Sequence, residues 1–234
     1  MAVAGLIGLL EFYGLAGRTG PRPLVLLGSC LVVLLILASA ATKKPDTAAA
    51  TILAGGLVAS FVALLLRADK RDSIISFAWT YAGILYVGWL SHYLVELRRI
   101  ESGVEWVILA LFTTFAVDTC AYFVGKKWGR HRLAPQISPG KTREGAVAGI
   151  FGGMAAAWAI SSLLALPLNS IQGLLLGLVV SMMAQIGDLT ESMFKRAAGV
   201  KDSGRLMPGH GGLLDRVDSI LLAGVAVYYF VQLL

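Results

Sequence analysis

Eight apolar runs, at roughly residues 2–17, 24–41, 48–66, 73–95, 104–125, 145–166, 171–189 and 213–234, take up most of this 234-residue chain. Each has about the length a helix needs to cross about 30 Å of hydrocarbon. Composition agrees, since 57% of the residues are apolar, 15% are charged and the mean hydropathy is +0.76, values of a membrane protein. Backbone groups in lipid must be hydrogen-bonded internally, and the runs lack the two-residue alternation of a barrel strand. The expected fold is therefore all-α, a polytopic bundle of about eight transmembrane helices forming one domain, 1–234. Residues 1–117 read as helical scaffold and 118–234 as the half that carries the chemistry.

The first run starts at Met1 without a basic leader, and "LLEFYGLAG" does not resemble a cleavage site, so it reads as a span. Cys30 and Cys120 lie inside apolar runs and form neither a metal motif nor a disulfide framework. Of the 20 basic residues, 15 fall in connections after odd-numbered runs, whereas the even connections hold only Lys43, Lys44, Arg98 and Arg99. Basic residues mark the cytoplasmic side. The odd loops are expected in the cytoplasm, and an even number of spans puts both termini on the far side.

Two of those odd loops, 126–144 and 190–212, are longer than a turn needs and hold most of the polar chemistry. In "SMMAQIGDLTESMFKRAAG", Asp188, Glu191 and Lys195 stand at i, i+3 and i+7 and share a helix face. Asp215 and Asp218, at i and i+3, open the last run, and Asp118 adds a carboxylate near the cytoplasmic end of its own. A charge in lipid costs about 2.5–3.5 kcal/mol even on the lenient scale. Such a set suits a hard divalent cation, which takes oxygen ligands from carboxylates and substrate phosphates. The plainer alternative is internal ion pairing with Lys195, Arg196 and Arg216.

Around the acids, "KRAAGVKDSGRLMPGHGG" offers Lys195, Arg196, Lys201, Arg205 and His210, with Gly209, Gly211 and Gly212 permitting close backbone approach. Phosphate is the natural guest of such a loop running into a helix start; an ordinary turn is the alternative for the glycines alone. In "ISPGKTREGAVAG", Ser138 reads as an N-cap and Pro139 as the first helical residue, which places Lys141, Thr142 and Arg143 in a first turn. "GKT" is no Walker A, because Pro135 stands where the leading glycine is required and no strand precedes it. His92, His131 and His210 lack zinc-ligand spacing. Glu11, Trp79, Trp89 and Trp106 read as boundary or packing residues.

The segment "SMFKRAAGVKDSGRLMPGHGGLLDRVDS", residues 192–219, resembles the signature of the phosphatidate cytidylyltransferases, or CDP-diacylglycerol synthases. It agrees at Ser192, Lys195, Arg196, Lys201, Asp202, Pro208, His210, Gly211, Gly212, Asp215, Arg216 and Asp218. "DTCAYFVGKKWGRHRLAPQISPGKTREG" and "QIGDLTES" are also similar to that family, so the resemblance runs from Asp118 to the end. Similar proteins carry more apolar sequence before "EFYGLAG".

The resemblance implies a reaction of CTP with phosphatidic acid on the cytoplasmic face of a bacterial cytoplasmic membrane, giving CDP-diacylglycerol and pyrophosphate. It also implies dependence on Mg²⁺, with a second cation left open, contact with membrane lipids and a homodimer, and no nucleic-acid partner. By it, Asp188, Asp215 and Asp218 hold the metal, with Lys195 also catalytic and binding phosphate alongside Arg196. Asp118, Ser138, Lys141, Thr142, Arg143, Glu191, Ser192, Lys201, Asp202, His210, Gly211, Gly212 and Arg216 complete the substrate site. Rivals are a CTP-dependent lipid-alcohol kinase, a cytidylyltransferase for another lipid phosphate, and a cation transporter with intramembrane carboxylates.

Overall fold

The computed structural model describes residues 1–67, 70–204, 206 and 211–234. All eight apolar runs are helical: α1 (Ala2–Arg18), α2 (Val25–Ala41), α3 (Pro45–Leu65), α4 (Ser73–Gly83) continuing through a π-helical turn (Ile84–Trp89) into α5 (Leu90–Arg99), α6 (Gly103–Trp128), α7 (Arg143–Leu163), α8 (Ser170–Ala197) and α9 (Leu214–Gln232). Among the described residues, five helical stretches are long and apolar enough to cross a membrane: Pro45–Leu65, Ser73–Arg99, Gly103–Trp128, Arg143–Leu163 and Ser170–Ala197. Val25–Ala41 is a shorter apolar helix. α9 opens on Asp215, Arg216 and Asp218, which lower its apolarity.

The chain divides into two compact units, Met1–Glu96 with Phe194–Arg216, and Leu97–Met193 with Val217–Leu234. In the first, Leu9, Phe12, Leu35 and Ile84 are fully buried. Phe12 meets Trp79, Tyr86 and Phe194, with ring centroids 5.7, 5.9 and 5.1 Å away. Two buried hydroxyls link helices through hydrogen bonds: Tyr13 donates to the Thr80 carbonyl (2.9 Å), while Thr80 Oγ1 donates to the Ser76 carbonyl (2.6 Å) and accepts from Leu24 N (2.8 Å). Buried polar groups need such partners, because stranding one costs about 1–3 kcal/mol.

The second unit is built on small residues. A Cβ added at Gly145 would lie 2.6 Å from the Ala121 carbonyl, and one at Gly149 3.0 Å from the Val117 carbonyl, so α7 rests on the backbone of α6. At Gly177 it would lie 2.6 Å from Met154 Cα, so α8 approaches α7 as closely. Lipid tails give apolar side chains no reason to leave the bilayer for one another, so close backbone contact becomes a main source of helix association.

One expectation is corrected. Ser138 is not a helix cap: β1 (Arg132–Ala134) and β2 (Ser138–Thr142) form an antiparallel hairpin, and α7 begins at Arg143. The N-cap is Thr142, whose Oγ1 accepts from Gly145 N (3.1 Å). Lys141 and Thr142 therefore precede the helix, and only Arg143 lies in its first turn. Gly140 disfavours helix, whereas pairing across the hairpin, extended by Arg143 N donating to the His131 carbonyl (2.9 Å), engages the backbone of this stretch. The all-α expectation thus holds for the apolar runs, with this one hairpin added among the described residues.

Gly177→Leu is expected to cost about 1–3 kcal/mol through overpacking, read as a lower thermal midpoint in detergent. Gly55→Leu, where a Cβ meets nothing within 4 Å, should leave the midpoint where it is.

Candidate active site

A cavity of about 610 Å³ opens in the second unit, between the C-terminal half of α6, the hairpin, the start of α7 and the later turns of α8. Its charged lining is Lys126, Arg132, Lys141, Asp118 and Asp188, and Tyr122, Leu133 and Leu189 supply apolar wall. That size accommodates a small-molecule ligand. Each charge has a structural reason to be there. Asp118 and Asp188 project from two helices, and the hairpin carries Lys141 to Asp188, with which it makes a close ion pair. Asp188 also accepts from Ser192 Oγ at 3.4 Å, one turn on. Both partners of the ion pair are partly exposed, Lys141 by 26% and Asp188 by 29%, so the pair faces the cavity rather than a dry core. Gln185, also in the lining, donates to the Ala146 carbonyl (3.1 Å) and ties α8 to the start of α7.

The hairpin is held by Glu144. Its carboxylate accepts from Arg130 N (3.1 Å) and His131 N (3.3 Å) and pairs with His131 Nδ1 at 2.6 Å. An acid in a first helical turn also suits the dipole. Lys141 thus sits next to the open end of the hairpin, which is fixed twice, by this clamp and by the Thr142 cap.

A second polar cluster belongs to the first unit. Lys195, on α8, donates to Asp215 Oδ1 (2.7 Å), and Asp215 Oδ2 accepts from Ser203 N (3.0 Å), Ser203 Oγ (2.8 Å) and Gly212 N (2.7 Å). Gly211 has a φ of +82°, and a Cβ there would lie 2.6 Å from Asp215 Oδ2. Glycine is needed at 211 on both counts. Glu11, from α1, accepts from Leu213 N (3.0 Å) and Leu214 N (2.8 Å). The amides that open α9 are thus shared between two carboxylates.

Against known proteins, the chain matches the cytidylyltransferase family over residues 1–234. The chain belongs to the cytidylyltransferase family. It is 38% identical over 213 residues to a phosphatidate cytidylyltransferase of Synechocystis sp., covering 78% of this chain and 70% of that one. It is 41% identical over 182 residues to a phosphatidate cytidylyltransferase of Bacillus subtilis, covering 75% and 68%. An uncharacterised Escherichia coli protein, YnbB, is 40% identical over 162 residues, covering 68% of this chain and 53% of its own length.

Within this cytidylyltransferase, the expected site residues fall into distinct places. Asp118, Ser138, Lys141, Thr142 and Asp188 line the cavity together, whereas Arg143 is exposed at the first position of α7, outside that lining. Glu191 is fully buried in α8 and Ser192 nearly so. Arg196 donates to the Val200 carbonyl (3.2 Å), closing the end of its own helix. Lys201, Asp202 and Arg216 are exposed. Asp218 is buried, its Oδ1 accepting from Ser219 N at 2.6 Å, and a Cβ at Gly187 would lie 2.5 Å from its carbonyl oxygen. His210, Arg205, Pro208 and Gly209 lie outside the described residues.

A hard cation such as Mg²⁺ needs oxygen donors with room around them, and Asp188 beside Asp118 in the cavity fits that need. Lys141 supplies the charge Asp188 would otherwise seek, so a metal there competes with an ammonium. Asp215 is engaged by Lys195 and three donors. Among the described residues, no three His, Cys, Asp or Glu side chains gather as a metal-holding group.

Sequence reasoning missed two roles. Glu11 is a long-range cap rather than a packing residue; the signal was a lone carboxylate in an apolar helix, where a charge is costly unless used. Gln185 gave a similar, fainter signal as a single amide in an apolar run.

Thr142→Val removes the cap and is expected to cost about 1 kcal/mol, with faster amide exchange over residues 143–146. Thr142→Ser, which keeps the oxygen, should behave as the wild type does.

Proposed function

We propose that this chain transfers CMP from CTP to phosphatidic acid. The lipid's phosphate oxygen bonds to the α-phosphorus of CTP as the bond to the β-phosphate breaks, so that CDP-diacylglycerol and pyrophosphate leave. A phosphomonoester is already anionic at neutral pH, so the protein's task is to position two anions and offset their charge. One observation carries the reading: Lys126, Arg132 and Lys141 converge with Asp118 and Asp188 on one cavity with an apolar wall. Cations there hold phosphates, while Tyr122, Leu133 and Leu189 suit a lipid-linked substrate.

Lys141 is proposed to move from Asp188 to a substrate phosphate. Asp188 is the proposed Mg²⁺ holder in the cavity, with Asp215 and Asp218 as the further ligands supplied by the family pattern. Mg²⁺ would offset the charge of the departing pyrophosphate. Lys195, kept in place by Asp215, is the second proposed phosphate cation, alongside Arg196. The setting proposed is a bacterial cytoplasmic membrane, crossed eight times, with the basic loops and the site on the cytoplasmic face; the bias of basic residues supports this orientation. A homodimer is proposed on the family resemblance alone.

Purified protein in detergent should release pyrophosphate only when CTP, phosphatidic acid and Mg²⁺ are all present, and Asp215→Asn should reduce release to background. CDP in place of pyrophosphate would make the enzyme a lipid kinase, and no nucleotide turnover would remove the proposal. Lys195→Ala is expected to cost about 10²–10³-fold in kcat, whereas exposed Lys201→Ala should cost less than about tenfold; equal losses would undo the role given to the Lys195–Asp215 pair.

A further inference from the structure

We infer that Glu11 is a positioning residue of the reaction, a carboxylate from α1 that holds the start of α9 so that Asp215 stays on Lys195. The inference rests on the proposed cytidylyl transfer, and its geometry lies within one compact unit.

A helix start leaves amides without partners inside the helix. Local side chains usually take them, as Asp215 does for Gly212 N. The next two amides, Leu213 and Leu214, go instead to Glu11, about 200 residues earlier in the chain. The receiving loop is shaped for that carboxylate. A Cβ at Gly204 would lie 2.7 Å from Glu11 Cδ, and one at Gly212 would lie 2.5 Å from Glu11 Oε2. Two glycines therefore leave the space that the Glu11 carboxylate fills. In α1 the burial of Phe12, Leu15 and Ala16 near it keeps the helix from turning Glu11 away.

Coupling to Asp215 runs through shared donors. Ser203 Oγ lies 2.8 Å from Asp215 Oδ2 and 3.4 Å from Glu11 Oε2, and its single proton goes to the nearer oxygen. Glu11 thus satisfies the two amides beside Asp215 while leaving Ser203 and Gly212 N to Asp215. Without Glu11, the Leu213 and Leu214 amides have Asp215 as the adjacent carboxylate. Turning toward them pulls Oδ1 from Lys195. A bare packing role for Glu11 does not connect it to Lys195; this one does.

The test uses the whole protein in detergent with two variants. Glu11→Gln keeps the shape and removes the charge. Gly204→Ala keeps Glu11 and crowds its seat. Turnover is read as pyrophosphate release with CTP, phosphatidic acid and Mg²⁺; independently, Lys195 is labelled with acetic anhydride without substrates and quantified by mass spectrometry, with Lys141 as the internal control. Both variants should label Lys195 at least about threefold faster, because a lysine held on Asp215 and only 14% exposed becomes accessible to the reagent once that contact is lost, while Lys141 labels as in the wild type. kcat per folded protein should fall about 10- to 100-fold with KM for CTP within about twofold, the loss expected of a misplaced group.

If one variant does not fold, the other decides; if neither folds, Glu11 is a structural cap and the inference is overturned. Wild-type labelling of Lys195, equal acceleration at Lys141, or faster labelling with unchanged turnover overturns it too. A wild-type protein that releases no pyrophosphate sinks the cytidylyl-transfer reading instead, while the labelling still reports whether Glu11 holds the Lys195–Asp215 pair.

Discussion

Helix starts that carry function must find acceptors for their unpaired amides, and in this chain that requirement organises the polar architecture. At α9 the solution is two carboxylates side by side, Asp215 on Gly212 N and Glu11 on Leu213 N and Leu214 N. Two like charges so close would repel, but amide hydrogens, the positive end of the helix dipole and the Lys195 ammonium all favour them. At α7 the solution is milder, with Thr142 as cap and Glu144 reaching back to the hairpin amides. In both places the loop before the helix is fixed by the same groups that satisfy the helix, so a lysine carried by the hairpin or aimed at the loop is held without large apolar contacts.

The helices that present these starts pack on a different principle. Gly145, Gly149 and Gly177 put backbone against backbone, and Ser181 returns its hydroxyl to the Gly177 carbonyl at 2.6 Å. Such contacts are short-ranged and specific in phase. They fix α6, α7 and α8 in the rotation that turns Asp118, Gln185 and Asp188 toward one cavity. Large side chains such as Phe112, Phe151 and Leu163 stay on the outside, where lipid receives them.

The helical runs were legible in the sequence because a span needs a length of apolar residues and nothing subtler. Their polar ends were less so. "SPGKT" has the composition of a helix start, and only its pairing with residues 132–134, a contact outside the segment, makes it a strand. Asp188 and Lys195 could be assigned to one helix face from spacing. That Lys141 meets Asp188 could not, because no periodicity links a hairpin to a helix two elements later. Asp215 is paired with Lys195, one of the cations the sequence placed near it, but the spacing alone could not choose among Lys195, Arg196 and Arg216. Glu11 was hidden by distance: its partners are main-chain amides, which carry no side-chain identity to recognise.

The π-helical turn at Ile84–Trp89 interrupts one long apolar helix running from Ser73 to Arg99. A π turn holds an extra residue relative to an α turn, and in an α-helix each residue advances the side chains by about 100°. The stretch before it aims Trp79 at Phe12, and the stretch after it brings His92 Nδ1 to within 2.5 Å of Ser39 Oγ on α2. This helix therefore has two azimuths, with the turn acting as a phase shifter between them. Losing a single residue there would shorten the helix by only about 1.5 Å, yet it would swing one half relative to the other, so single-residue length changes should be tolerated far less in this span than in the loops on either side of it.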